Sequence, residues 1–173
     1  MAVSSRLGKW GPTILHVGIG GLIGYNIDVL SVVDGVSMYP TLEPNQRLLH
    51  MPRWLRELYS PIHIGDVVLV DVDTNVTVCK RVVGMGGFEE KMAWERDYFT
   101  EEEMDFDTPK RHRSEAWSPC QHRYVNSATW LWLEGDNSFN SFDSRETGAV
   151  PIECVKGAVV GIVWPTEDWR RIS

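Results

Sequence analysis

Val67-Val68-Leu69-Val70-Asp71-Val72, then Thr74-Asn75, then Val76-Thr77-Val78-Cys79-Lys80-Arg81-Val82-Val83 read as two strands folded about a short turn. The valines favour a pleated, half-buried surface, and the polar pair between the runs supplies the turn. Side chains alternate along a strand, so Val76, Val78, Lys80 and Val82 share one face, and Thr77, Cys79, Arg81 and Val83 share the other. Lys80 therefore stands in a valine row. If that row is buried, the amine loses water and its proton is held less tightly, as a general base requires. If the strand lies at an edge, Lys80 is an ordinary residue that keeps its amine in solvent.

Short strands recur on both sides of this hairpin. Leu30 to Val36 reads as a strand interrupted at Asp34-Gly35. Ser37 to Gln46 holds Pro40 and Pro44 and is a loop. Arg53 to Tyr59 suits a short helix, and Pro61 to Gly65 a turn. Gly84, Gly86 and Gly87 close the second strand of the hairpin, with no phosphate-binding fingerprint around them. Thr129 to Glu134 is a strand with Trp130 and Trp132 on one face, and Val155 to Trp164 is the last strand. Many short strands and few helices define a mostly β domain.

Residues 88–123 break the pattern. Glu101 to Asp107 is acidic, Lys110 to Arg113 is basic, and apolar periodicity is poor, so the segment reads as a surface insertion with a short helix near Phe99 to Met104. His112, Cys120 and His122 lie close together, but their spacing matches no zinc site, and no metal is expected.

The chain has 173 residues, 43% of them hydrophobic, which suffices for one packed domain with an appendage. Its formal net charge of -7 argues against nucleic acid as a partner. Three widely spaced cysteines, Cys79, Cys120 and Cys154, allow one bridge and exclude a disulfide framework. Trp10 to Ile27 carries no formal charge and is preceded by Arg6 and Lys9. Its length approaches the ~17–25 residues that span a bilayer as a helix, and no small-residue cleavage site follows it. Residues 1–30 are therefore expected to be a membrane anchor, with a buried or interfacial helix as the alternative, and 31–173 the folded domain.

Two further segments carry candidate chemistry. In Gly35-Val36-Ser37-Met38-Tyr39-Pro40-Thr41-Leu42, Pro40 stiffens the loop and Gly35 lets another backbone come close. A serine in such a turn presents its Oγ together with neighbouring N–H donors, the set that an acyl-transfer oxyanion needs. Gly135-Asp136-Asn137-Ser138-Phe139-Asn140-Ser141-Phe142-Asp143-Ser144-Arg145 is polar and rich in turn formers. There Asp143 and Arg145 suit an ion pair, and Ser141 suits a hydrogen bond to a nearby amine.

Taken together, these segments resemble the type I signal peptidase family. The matching pieces are Gly35 to Leu42, Gly65 to Val70, Cys79 to Gly84 and Trp132 to Arg145, followed by Gly148, Val150, Pro151 and Val163-Trp164-Pro165. The resemblance is closest to the mitochondrial inner membrane peptidase subunits, the first subunit in particular. It implies an antiparallel β domain behind an N-terminal membrane-anchor helix. It implies a Ser–Lys dyad, with Ser37 as nucleophile and Lys80 as general base. Ser141 would hydrogen-bond the lysine, and Asp143 and Arg145 would support the site. Met38 would pack beside the substrate, and the backbone N–H groups of Gly35 and Ser37 would meet the oxyanion.

No cofactor is implied. The implied partners are precursor proteins bound as extended strands, a related second peptidase subunit and the membrane, with the catalytic domain facing the intermembrane space. Sorting presequences of inner-membrane and intermembrane-space proteins would be the substrates. Gly84-Met85-Gly86-Gly87-Phe88 departs from the bacterial pattern, and the 88–123 insertion is longer than a mitochondrial member would suggest. The alternatives are a catalytically inactive scaffold subunit of the same complex and a self-cleaving repressor-type Ser–Lys protease. The latter normally carries a DNA-binding domain, for which the residues before Ser37 are too few.

Overall fold

The computed structural model describes residues 29–55, 61–73, 76–99, 120, 123–124 and 126–172. Its strands are β1 (Leu30–Val32), β2 (Arg47–Pro52), β3 (Val67–Asp73), β4 (Val76–Gly86), β5 (Trp130–Glu134), β6 (Val150–Pro151), β7 (Val155–Trp164) and β8 (Arg170–Arg171). Two α-helices are described over their full length, α1 (Phe88–Tyr98) and α2 (Ser144–Thr147), and residues 53–55 are helical as well. The strands form one antiparallel sheet in the order β1-β2-β7-β3-β4-β5-β6, with β8 paired to β7.

The sheet is mostly buried on both faces, which explains the apolar run of residues 67–70 that opens β3. Val68, Val70 and Val72 enter one core with Ile62, Val82, Leu131, Leu133 and Val155. Val67 and Leu69 enter a second core on the opposite face with Val33, Met38, Leu42, Leu48, Val159 and Ile162. β3 therefore presents apolar side chains in both directions, and the valine-rich hairpin lies in the middle of the sheet. β3 and β4 pair antiparallel with Val68 opposite Lys80 and Val67 opposite Arg81.

The expected mostly antiparallel β architecture is present. β3, β5 and β7 fall where the sequence placed them. β1 ends at Val32, and β4 runs on to Gly86. Thr74-Asn75 and most of the expected Arg53–Tyr59 helix lie outside the described residues. β2, β6 and β8 are additional strands.

Residues 100–104 of the helix expected near Phe99 to Met104 lie outside the described residues; α1, ahead of them, starts at Phe88 and is capped at its far end by Phe99. Its first turn carries Glu89 and Glu90 and its last turn Arg96, the order that complements the helix dipole. Glu90 Oε2 accepts the Gly87 N–H at 2.8 Å, satisfying a donor that the helix start leaves open. α1 covers the tryptophan face of β5. The Trp94 and Tyr98 rings lie 6.1 and 5.0 Å from that of Trp132. A Cβ on Gly84 would lie 2.8 Å from the Trp94 ring, so a bare backbone is needed for this contact. Beneath the helix, Lys91 and Glu95 form a buried pair at 2.9 Å, with the Lys91 amine 4.9 Å from the Trp130 ring centre.

Cys120 and Cys154 are joined in a disulfide that ties the end of the 88–123 segment to the start of β7. Cys120 is therefore not a metal-binding thiolate, while His112 and His122 lie outside the described residues. Residues 1–28 of the expected anchor also lie outside the described residues, and Leu30 already belongs to β1. Among the described residues, no helix is long and apolar enough to cross a membrane.

Candidate active site

Lys80 lies in β4 between Val78 and Val82, and all three face the first core. The lysine is only 3% exposed. Burial pushes its amine below the usual lysine range, against the opposing pull of the Asp143 carboxylate. Of the two placements open to Lys80, the structure shows the desolvated one.

The Lys80 Nζ donates to Ser141 Oγ at 3.0 Å, and Ser141 Oγ donates to Asp143 Oδ2 at 2.6 Å. With its proton committed to Asp143, Ser141 can only accept from the amine. Asp143 is 0% exposed, and its carboxylate is fully engaged. It accepts from the Gly135 N–H at 2.8 Å, from Arg145 Nε and Nη2 at 2.9 and 2.8 Å, and from the Arg145 N–H at 3.3 Å. Burial alone would raise this carboxyl's pKa. The hydrogen bonds from Arg145, Ser141 and Gly135 outweigh that effect and hold it below the usual carboxylate range. The same bonds push the Arg145 guanidinium upward.

Local sequence explains why this loop holds its shape. Asp143 is the N-cap of α2, and Glu146 Oε2 returns to the Asp143 N–H at 3.0 Å. Asp-Ser-Arg-Glu is thus a capping box, with Asp143 serving both the helix end and the ion pair.

Ser37 sits on the turn between β1 and β2 and is partly buried. Its carbonyl accepts the Asn137 N–H at 2.9 Å, and the Val36 carbonyl accepts from Asn137 Nδ2 at 3.1 Å. Gly135 fits between the two loops. A Cβ there would run into the Ser141 side chain on one side and come within 2.5 Å of the Ser37 carbonyl on the other. One glycine thus brings the Ser37 turn against the residue that holds Lys80. Gly35 has open space where a side chain would be. Met38 is 1% exposed and packs in the second core.

Two residues whose pairing the sequence did not reveal complete the arrangement. Arg81 Nε and Nη2 bond Asp136 at 2.8 and 2.7 Å, and Nη1 donates to the Gly65 carbonyl at 2.7 Å. Nη2 also reaches Thr41 Oγ1 at 3.5 Å. The guanidinium is held protonated by Asp136, whose own carboxyl, despite burial, is lowered by Arg81 and Thr41. The adjacency of Lys80 and Arg81 was the available signal, since opposite faces of one strand must find different acids. Cys79, on the Arg81 face, is a free thiol pushed up to about 12 by burial, so it is no thiolate nucleophile.

A desolvated amine, oriented by a hydroxyl and a locked carboxylate and flanked by a serine turn, has the parts of an acyl-transfer site that needs no histidine. The chain matches the family described as Signal peptidase, peptidase S26, over residues 8–164, and it belongs to that family.

Among its relatives is mitochondrial inner membrane protease subunit 1 of Xenopus tropicalis, 31% identical over 99% of this chain and 90% of the relative. The human protein of the same name is 30% identical over 79% of this chain and 69% of the relative. Subunit 2 of the Saccharomyces cerevisiae protease is 29% identical over 93% of this chain and 78% of the relative.

Proposed function

We propose that the chain is a serine endopeptidase of the mitochondrial inner membrane. In this reading it removes sorting presequences from proteins delivered to that membrane or to the intermembrane space. The observation that carries this reading is the buried Lys80 amine on Ser141, with Asp143 and Arg145 locking the hydroxyl that receives it. Because Ser141 accepts from Lys80, the lone pair of the neutral amine is left for another hydroxyl. Ser37 is the candidate, on the turn clasped by Asn137.

Lys80 would take the Ser37 Oγ proton as that oxygen attacks the scissile carbonyl carbon. The oxyanion would meet the backbone N–H groups of Gly35 and Ser37. The Lys80 ammonium would then protonate the leaving amine, releasing the mature protein. Lys80 would next activate a water that hydrolyses the ester on Ser37.

The names of the relatives support the inner membrane and a complex with a related second subunit. The Cys120–Cys154 bridge fits a domain in an oxidising compartment, which favours the intermembrane-space side over the matrix. Residues 1–30 would supply the anchor, and the precursor would bind as an extended strand.

The test is precursor processing by the full chain carrying Ser37→Ala, Lys80→Ala or Lys80→Arg. Each variant is expected to accumulate and to leave precursors uncut, the last because a guanidinium keeps its proton. Wild-type processing by any of them sinks the mechanism.

A further inference from the structure

Phe139 is 96% exposed, the most exposed of the large apolar side chains among the described residues. It lies on the short 3-10 turn Ser138–Asn140, two residues after Asn137 and two before Ser141. Asn137 clasps the Val36 and Ser37 carbonyls, and the Val36 carbonyl also accepts the Tyr39 N–H at 3.1 Å. Val36 and Tyr39 flank Ser37, and they are themselves 47% and 52% exposed.

With Phe142, which is 49% exposed, four large apolar side chains are therefore left in water on two loops that hydrogen bonds bind to each other, one of which carries the half-buried Ser37. A single exposed apolar residue has no meaning of its own, but a group gathered at one site marks a contact surface. The ring of Phe139 does little for the fold, since a polar residue would serve that turn as well.

We infer that Phe139, with Val36 and Tyr39, forms an apolar contact that receives a bulky apolar side chain of the precursor segment being cut. This contact rests on the endopeptidase reading above. The occupant follows from position. The same two loops carry Ser37 and Ser141, so a polypeptide laid across Ser37 passes over them. Covering apolar surface there discriminates between side chains by area, so the preference is for bulk and not for charge.

The experiment uses the full chain in detergent with any subunit that co-purifies. Its substrates are synthetic precursor peptides that differ at one position near the cleaved bond, Ala against Leu or Phe. At one such position the wild type is expected to favour the bulky peptide by about fivefold or more in kcat/KM. In Phe139→Ala that ratio falls to about one, through a higher KM for the bulky peptide, while Phe139→Leu keeps most of it.

Cleavage with a ratio that Phe139→Ala does not change overturns this inference alone. It is overturned equally if the variant keeps the ratio but loses its co-purifying subunit or its binding to lipid vesicles, which would assign the patch to those partners. No Ser37-dependent cleavage by the wild type overturns the endopeptidase reading and this inference together.

Discussion

The base role proposed for Lys80 requires an amine that is cheaper to leave neutral than to charge. The apolar row of β4 and the facing Val68 create that condition. The cost appears as a pH dependence of stability. The folded-state pKa is depressed, so between it and the unfolded value of ~10.4 the unfolded chain holds a proton that the native chain has lost. Stability attributable to this residue therefore rises with pH through that window, and the penalty is full below it. Lys80→Met should consequently stabilise the protein. The expected gain is roughly 1–4 kcal/mol near neutral pH or below, the range for replacing buried charged groups with apolar ones. It should fade as pH approaches ~10.4. Urea denaturation of the two proteins at several pH values measures this, and an inactive variant with no added stability would mean that the amine is hydrated.

Among the elements, the loop from Gly135 to Arg145 was the most legible part of the site. Its residue types announced a polar support for an amine; Ser141 bonds the Lys80 amine, and Asp143 bonds both Ser141 and Arg145. The Arg81–Asp136 pair was not legible, because it depends on β5 returning beside β4 with Glu134 opposite Arg81. β2 was hidden for a different reason. Leu48 and His50 point inward while Leu49 stays exposed, so hydropathy does not alternate along it. α1 escaped notice because the side chains it buries include Lys91 and Glu95, which a hydropathy pattern assigns to water. By contrast, β7 and β5 were legible because their faces are filled with apolar residues.

The loop is tightest at Gly135. In Gly135→Ala the new methyl must push the Ser141 side chain and the Ser37 turn apart. Displacements of about 1 Å at a reacting group cost on the order of 100-fold in rate. Processing should fall by about that factor while the circular dichroism spectrum stays that of the wild type, and near-normal processing would show that the two loops need not touch.

For the molecule as a whole, the sheet is continuous, and the 88–123 segment is fastened to it twice, by α1 against β5 and by the Cys120–Cys154 bridge. The bridge spans 34 residues and ends where β7 begins. Constraining a loop of that size in the unfolded chain contributes about 4 kcal/mol. Reduction, or Cys120→Ser paired with Cys154→Ser, should therefore lower Tm by roughly 8–16 °C. An unchanged melting curve under reducing conditions would show that α1 alone holds the segment.

Lys80 and Arg81 are neighbours on β4 that point to opposite faces of the sheet, yet each grips the same loop, one at Ser141 and the other at Asp136. The strand works like a key with two differently cut edges. Deleting one residue upstream of Lys80 would turn it over, present a permanently charged guanidinium to Ser141 and send the titratable amine to the opposite face. Length changes beyond Gly86 leave this register alone, whereas the spacing within the hairpin decides which of the two cations meets Ser141.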